Sequence, residues 1–289
     1  MPKNQINSQF NFALSQVFSP SLLKRIEDPA HEENLRLLLQ HCSLYPVHEK
    51  WDFVKGLELT YDYLKQNYRC EYVYMNEIAN QLLLKFHSDN SATLLKELPS
   101  ECSIADIVIV NAKTVAYEIK TELDSFDRLT GQLESYQMLY DNVYVVTYPN
   151  AVAALAAKVI DGIGIIVLQE DGVLNTIRTA VSCTDKFEPS KAILTLRQKE
   201  LVEAYEKYQG KFPPMGTALI YNFCYEWFMK LKKDDARIIF AAALKSRKPT
   251  KHQFELISNC SPSLKMLFLG RDLSKKNCTL IKNRMGIFV

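Results

Sequence analysis

Ser103-Ile-Ala-Asp-Ile-Val-Ile-Val-Asn111 and Lys113-Thr-Val-Ala-Tyr-Glu-Ile-Lys120, with Ala112 between them, form the stretch that decides the fold. Both runs are dense in β-branched and aromatic residues, which predicts two strands joined by a tight connection. A three-residue loop centred on Ala112 makes an antiparallel hairpin in which Asp106 faces Glu118, with Cβ atoms roughly 5 Å apart. Lys120 lies two residues further on and shares their face. Val108 and Val110 share the Asp106 face, while Ile107 and Ile109 fill the other, so the first strand is expected to be covered on both sides.

Three charged groups in such apolar strands need an explanation, because burying an unpaired charge costs several kcal/mol or more. Facing carboxylates repel unless a proton or a cation lies between them. Two carboxylates converging on one point suit Mg²⁺, which takes one or two of them together with water and phosphate oxygens. The plainer alternative is that each carboxylate pairs with Lys120 on a solvated sheet face. The apolar residues on both faces weigh against it.

Outward from the hairpin, hydrophobic spacing predicts helices on the N-terminal side: a short one opened by Ser19-Pro20, then His31 to Cys42, Lys50 to Tyr68 and Glu71 to Phe86. Ala92 to Leu98 reads as a strand ended by Pro99-Ser100. After the hairpin come a helix from Asp124 to Tyr140, a strand from Asn142 to Thr147, and an alanine-rich helix from Ala151 to Ile160. Next are a strand from Gly162 to Leu168 and an edge strand from Val173 to Val181. From Pro189 onward the pattern is helical, with Leu196 to Tyr208, Thr217 to Leu231 and Asp234 to Ser246 the clearest segments. This order predicts an α/β core with a central hairpin and a crossover, and a division into 1–70, 71–185 and 186–289. Gly162-Ile-Gly164 lacks the third glycine of a phosphate loop and reads as structural.

Composition narrows the classes. With 289 residues, 47% of them hydrophobic, the chain can bury a sizeable core. No apolar run reaches the length of a membrane span; the nearest, Ala151 to Leu168, is broken by Lys158 and Asp161. Residues 1–8 do not read as a signal peptide, and seven scattered cysteines with no CxxC pair fit reduced thiols, so a cytoplasmic protein is expected. His41, Cys42 and His48 resemble half a zinc site without a second half at ligand spacing. The net charge of +2 conceals a split: residues 186–289 hold 20 Lys/Arg against 9 Asp/Glu, and the remainder is acidic. Such asymmetry suits a polyanion-binding segment beside an acidic one, or simply a solvated helical surface.

The helix after the hairpin carries a second signal, Gln132-Leu-Glu-Ser-Tyr136. Gln132 and Tyr136 are i and i+4, on one helix face, with Arg128 one turn earlier. Asp106, then Glu118-Ile119-Lys120 on the next strand, then Gln132-x-x-x-Tyr136 on the following helix resemble the PD-(D/E)XK nuclease superfamily, in its RecB-like branch. The likeness covers roughly residues 70–170. Its eponymous proline is replaced here by Ala105.

The resemblance implies a restriction-endonuclease-like core, a mixed sheet flanked by helices, with helical regions on either side. It implies Mg²⁺- or Mn²⁺-dependent cleavage of phosphodiesters, most readily in DNA. Asp106, Glu118 and the Ile119 carbonyl would hold the cation, Lys120 would orient or help deprotonate a water, and Gln132 and Tyr136 would position that water or a backbone phosphate. Many relatives add one more acidic residue, for which Glu71, Glu77 and Glu97 are the candidates and Glu97 is preferred. A four-residue loop at 100–103 would set Glu97 opposite Asp106, whereas a three-residue loop would turn it away. Two other readings stay open: a non-catalytic nucleic-acid-binding protein on the same fold, and an interaction module whose C-terminal helices bind a protein partner or a second copy.

Overall fold

A computed structural model describes residues 9–84, 91–156 and 158–287. Residues 1–8, the end of the helix expected at 71–86, and residue 157 lie outside these; of the helix expected from Ala151 to Ile160, Val152–Ala156 is helical and residues 158–160 are not. Five helices come first: α1 (Gln9–Ser15), α2 (Pro20–Lys24), α3 (Pro29–His41), α4 (Phe53–Asn67) and α5 (Glu71–Ile78), the last running on into a wider turn at Ala79–Leu84. Strands β1 (Thr93–Ser100), β2 (Ser103–Val110) and β3 (Thr114–Ile119) follow, then α6 (Leu129–Gln137), β4 (Asn142–Thr147), α7 (Val152–Ala156), β5 (Gly164–Leu168) and β6 (Leu174–Arg178). The chain continues as α8 (Pro189–Thr195), α9 (Gln198–Gln209), α10 (Thr217–Met229) and α11 (Lys233–Ser246). Then come α12 (Lys251–Asn259), α13 (Lys265–Leu269) and α14 (Lys275–Arg284).

The six strands form one open mixed sheet in sequence order. β1, β2 and β3 are antiparallel neighbours; β3, β4 and β5 run parallel through the α6 and α7 crossovers; β6 returns antiparallel at the far edge. Pairing of β2 with β3 runs from Val110↔Thr114 to Ile107↔Tyr117, the register that a loop centred on Ala112 requires.

Both faces are covered, as the double apolar pattern of β2 demands. On one face Ile107, Ile109, Tyr117 and Ile119 pack beneath α1–α5 and α12–α14. On the other, Val108, Val110 and Ala116 lie beneath α6 and the helices up to α11. The division at 70 falls between two helices, α4 and α5, and that at 185 between the last strand and the C-terminal helices, while the packing follows the sheet. The C-terminal third crosses over after α11 and completes the core begun by the N-terminal helices.

Several of its cations are structural. Arg237 bonds buried Asp141 at 2.7 Å, Arg247 grips Glu200 through two bonds of 2.6 and 2.7 Å, and Lys245 reaches Asn111 at 2.9 Å. Lys265 Nζ is buried against the Ile257 carbonyl. The basic surplus is therefore partly absorbed inside the fold.

Two local expectations change. The helix expected from Asp124 begins only at Leu129, because the Asp124 carboxylate accepts from the amide and hydroxyl of Thr121 (2.9 and 2.7 Å) and closes a turn instead. β1 runs through Pro99-Ser100 rather than ending before it, since Pro99 lies on the sheet edge, where its missing N–H costs no ladder bond. Gly162 and Gly164 are structural: Gly162 turns with φ +84°, and the Tyr144 ring lies where a Gly164 side chain would stand.

Candidate active site

β3 ends at the site, and its last residues are held by main-chain and hydroxyl bonds. The Lys120 amide donates to the Val146 carbonyl at 2.9 Å, and Thr147 Oγ1 donates to the Lys120 carbonyl at 2.8 Å. Glu118 is 1% exposed and Lys120 8% exposed, so the charged pair lies inside the protein. Lys120 Nζ donates to Glu118 Oε1 at 2.7 Å and to Gln132 Oε1 at 3.1 Å. The Tyr136 hydroxyl lies 2.8 Å from Glu118 Oε2 and 2.6 Å from the Ile104 carbonyl. Gln132 and Tyr136 thus border the hairpin from α6, one helical turn apart on the same face.

Asp106 is half-buried in the middle of β2, and its Oδ2 accepts from the Ile119 amide at 2.6 Å. Its carboxyl is pushed up to about 8, first by burial, then by the Glu118 charge; Glu71 adds to the rise, while the Ile119 amide and Lys120 oppose it. A carboxylate so placed holds a proton that a cation could replace. Burial likewise drives the Tyr136 hydroxyl far upward, reinforced by Glu118, so this side chain stays a neutral phenol.

Asp106, Glu118, Lys120, Gln132 and Tyr136 are therefore gathered at one end of the sheet, and the Ile119 backbone is bonded to Asp106. Glu97 is not gathered with them. The pairs Lys96↔Ile107 and Leu98↔Ala105 bracket it opposite Asp106, across a turn of two residues. However, Glu97 itself adopts φ +50°, its side chain is 61% exposed, and it pairs with Lys96 at 2.7 Å. Glu77 is excluded as well, since its carboxylate is saturated by Tyr61, Lys65 and Gln81 at 2.6–2.8 Å.

The remaining candidate of the three is Glu71, at the first residue of α5. It stands open at the rim, yet enough protein surrounds it that desolvation raises its carboxyl, with Lys96 opposing and Glu97, Asp124 and Glu118 adding to the rise. Among the described residues no three His, Cys, Asp or Glu side chains stand close enough to form a ready-made metal cluster. What the site offers a hard cation is the facing pair Asp106 and Glu118, a donor set that fits Mg²⁺ retaining most of its water. Sequence reasoning missed Thr147, whose short polar side chain at the end of β4 looks like ordinary loop chemistry.

The fold and site together define a mixed-sheet α/β protein with a buried carboxylate–lysine centre at the end of its central hairpin. The chain belongs to the bacteriophage P4 protein cII family, whose model matches residues 64–278, from the end of α4 into α14. Protein cII of Enterobacteria phage P4 is 31% identical over 67 residues, which are 23% of this chain and 25% of that protein. The match thus spans about a quarter of that relative's length. No solved structure matches the chain. No helix among the described residues is long and apolar enough to cross a membrane.

Proposed function

We propose that this protein is a Mg²⁺- or Mn²⁺-dependent nuclease with a restriction-endonuclease-like core. The observation that carries the reading is the convergence of Asp106, Glu118, Lys120, Gln132 and Tyr136, from three separate elements, on one buried point. Its order along the chain resembles the PD-(D/E)XK pattern, and the raised Asp106 carboxyl marks a place built for positive charge.

Asp106 and Glu118 would hold the cation, with Glu71 at the rim as a partner through water. When bound, a divalent cation supplies charge neutralisation at the phosphate and a more acidic water. Lys120 stands beside Glu118 with its ammonium fixed by two acceptors, so it can orient a water and offset charge developing at phosphorus. Gln132 holds Lys120 in that direction. Tyr136, kept neutral, holds Glu118 and orients its remaining lone pairs.

DNA is the first substrate to test, and the cytoplasm the compartment that the free cysteines suit. Purified protein with Mn²⁺ or Mg²⁺ should cut DNA, and Asp106→Ala and Lys120→Ala should abolish cutting while retaining binding. Failure of the wild-type protein to cut DNA or RNA with either metal would overturn the reading.

A further inference from the structure

A cavity of about 380 Å³ runs along the free edge of β1, between the two helical layers. Its lining includes Lys96, Glu97, Arg197, Arg247, Arg271 and Asp272. We infer that this groove holds the phosphodiester backbone of a nucleic-acid strand, with Arg197 and Arg271 as the phosphate contacts. The inference deepens the nuclease reading and rests on it for the identity of the polyanion.

Charge bookkeeping inside the groove separates the working cations from the structural ones. Arg247 is buried and neutralised by Glu200, and it also donates to the Thr195 carbonyl at 2.9 Å. It therefore forms a rigid wall. Lys96 is occupied by Glu97. Arg197 is exposed and, among the described residues, in no ion pair. Arg271 reaches no carboxylate there, and its guanidinium makes only a long 3.4 Å contact with the Pro20 carbonyl. Arg197, just before α9, and Arg271, in the turn after α13, thus line the groove from opposite layers of the fold. Planar guanidinium groups match phosphate oxygens in pairs, and a strand lying between them would be gripped on both sides.

The position of the groove ties it to the candidate active site. Lys96 and Glu97 lie on its β1 wall, and both act electrostatically on Glu71, whose charge in turn reaches Asp106. Glu97 on that wall lies in register opposite Asp106, so a backbone held along β1 would pass one strand away from the Asp106 carboxylate on β2. Glu97, which does not join the carboxylate pair, finds its place here as the groove's acidic boundary.

The test measures binding of a fluorescein-labelled DNA duplex and of the matching single strand by anisotropy across a salt series, in Ca²⁺ to suppress turnover. Replacing both Arg197 and Arg271 by Ala should weaken binding at least about 10-fold and flatten the salt slope by about two, one for each lost phosphate contact. Arg197→Lys with Arg271→Lys should restore most of the slope. Lys230→Ala with Lys232→Ala, an equal loss of charge on an exposed surface away from the groove, should leave the slope unchanged. If the two alanine pairs behave alike, or the arginine pair leaves binding untouched, the assignment falls. A loss of binding in a protein that cuts nothing would uphold the groove and overturn only the catalytic reading.

Discussion

The hydroxyl of Tyr136 lies between two acceptors, Glu118 Oε2 at 2.8 Å and the Ile104 carbonyl at 2.6 Å. Its single proton goes to one of them at a time, and through it α6 bridges the start of β2 and the end of β3. Tyr136→Phe leaves the ring packing intact and removes this link. The expected cost is about 1–3 kcal/mol of stability, with cleavage lowered about 10–100-fold. Denaturant melts and single-turnover assays on the same preparation would separate the two effects.

Lys120 is equally bound to its neighbour. Glu118 is almost fully buried, and Lys120→Ala would leave its charge without a cation. Breaking a buried pair in this way costs about 3–5 kcal/mol. Glu118→Gln combined with Lys120→Met should recover much of that stability, with no recovery of activity. If the double variant is no more stable than Lys120→Ala, the pair does not set the energetics.

Asp106 makes stability depend on pH in an unusual direction for a carboxylate. Its folded value is about 8 against an ordinary 3.8, so between these limits the folded protein keeps a proton that the unfolded chain has lost. Stability therefore falls as pH rises through that window. In the presence of EDTA, Asp106→Asn should raise the Tm near pH 8 by a few degrees and leave it nearly unchanged near pH 4. Mn²⁺ should raise the wild-type Tm near pH 8 and have little effect on the variant.

Glu71 and Glu97 are distinguishable by titration. Mn²⁺ binding followed by calorimetry should weaken about 10-fold in Glu71→Gln, if that carboxylate supports the cation through water. Glu97→Gln should bind Mn²⁺ as the wild type does. The reverse ranking would return Glu97 to the site.

Stability elsewhere rests on a second buried charge. Asp141 accepts from the amide and hydroxyl of Thr114 at 2.8 and 3.1 Å and from Arg237 at 2.7 Å, joining the start of β3 to α11. Asp141→Ala should cost about 3 kcal/mol while leaving the cleavage rate per folded molecule unchanged. A proportionate loss of specific activity would show that α11 acts on the site.

Much of the hairpin was legible because its information is local. Two β-branched runs and one short loop settle which residues face each other, and an i, i+4 pair settles one helix face. Glu97 was illegible for a complementary reason: a single residue with φ +50° redirects its side chain, although the flanking register is regular. The start of α6 was misplaced because Asp124 has the chemistry of a helix cap and uses it to close a turn with Thr121. The path of the C-terminal third was also hidden. Amphipathic spacing shows that α12–α14 have an apolar side, but not which face of the sheet will receive it.

That crossing has a consequence for how the molecule is made. The layer of α6–α11 is contiguous in the chain and can close as it leaves the ribosome. The opposite layer cannot, because α1–α5 await residues 251–285 to seal their core. Until those helices are synthesised, the nascent chain carries an unsealed apolar surface, the kind that chaperones recognise and that aggregates when they are absent.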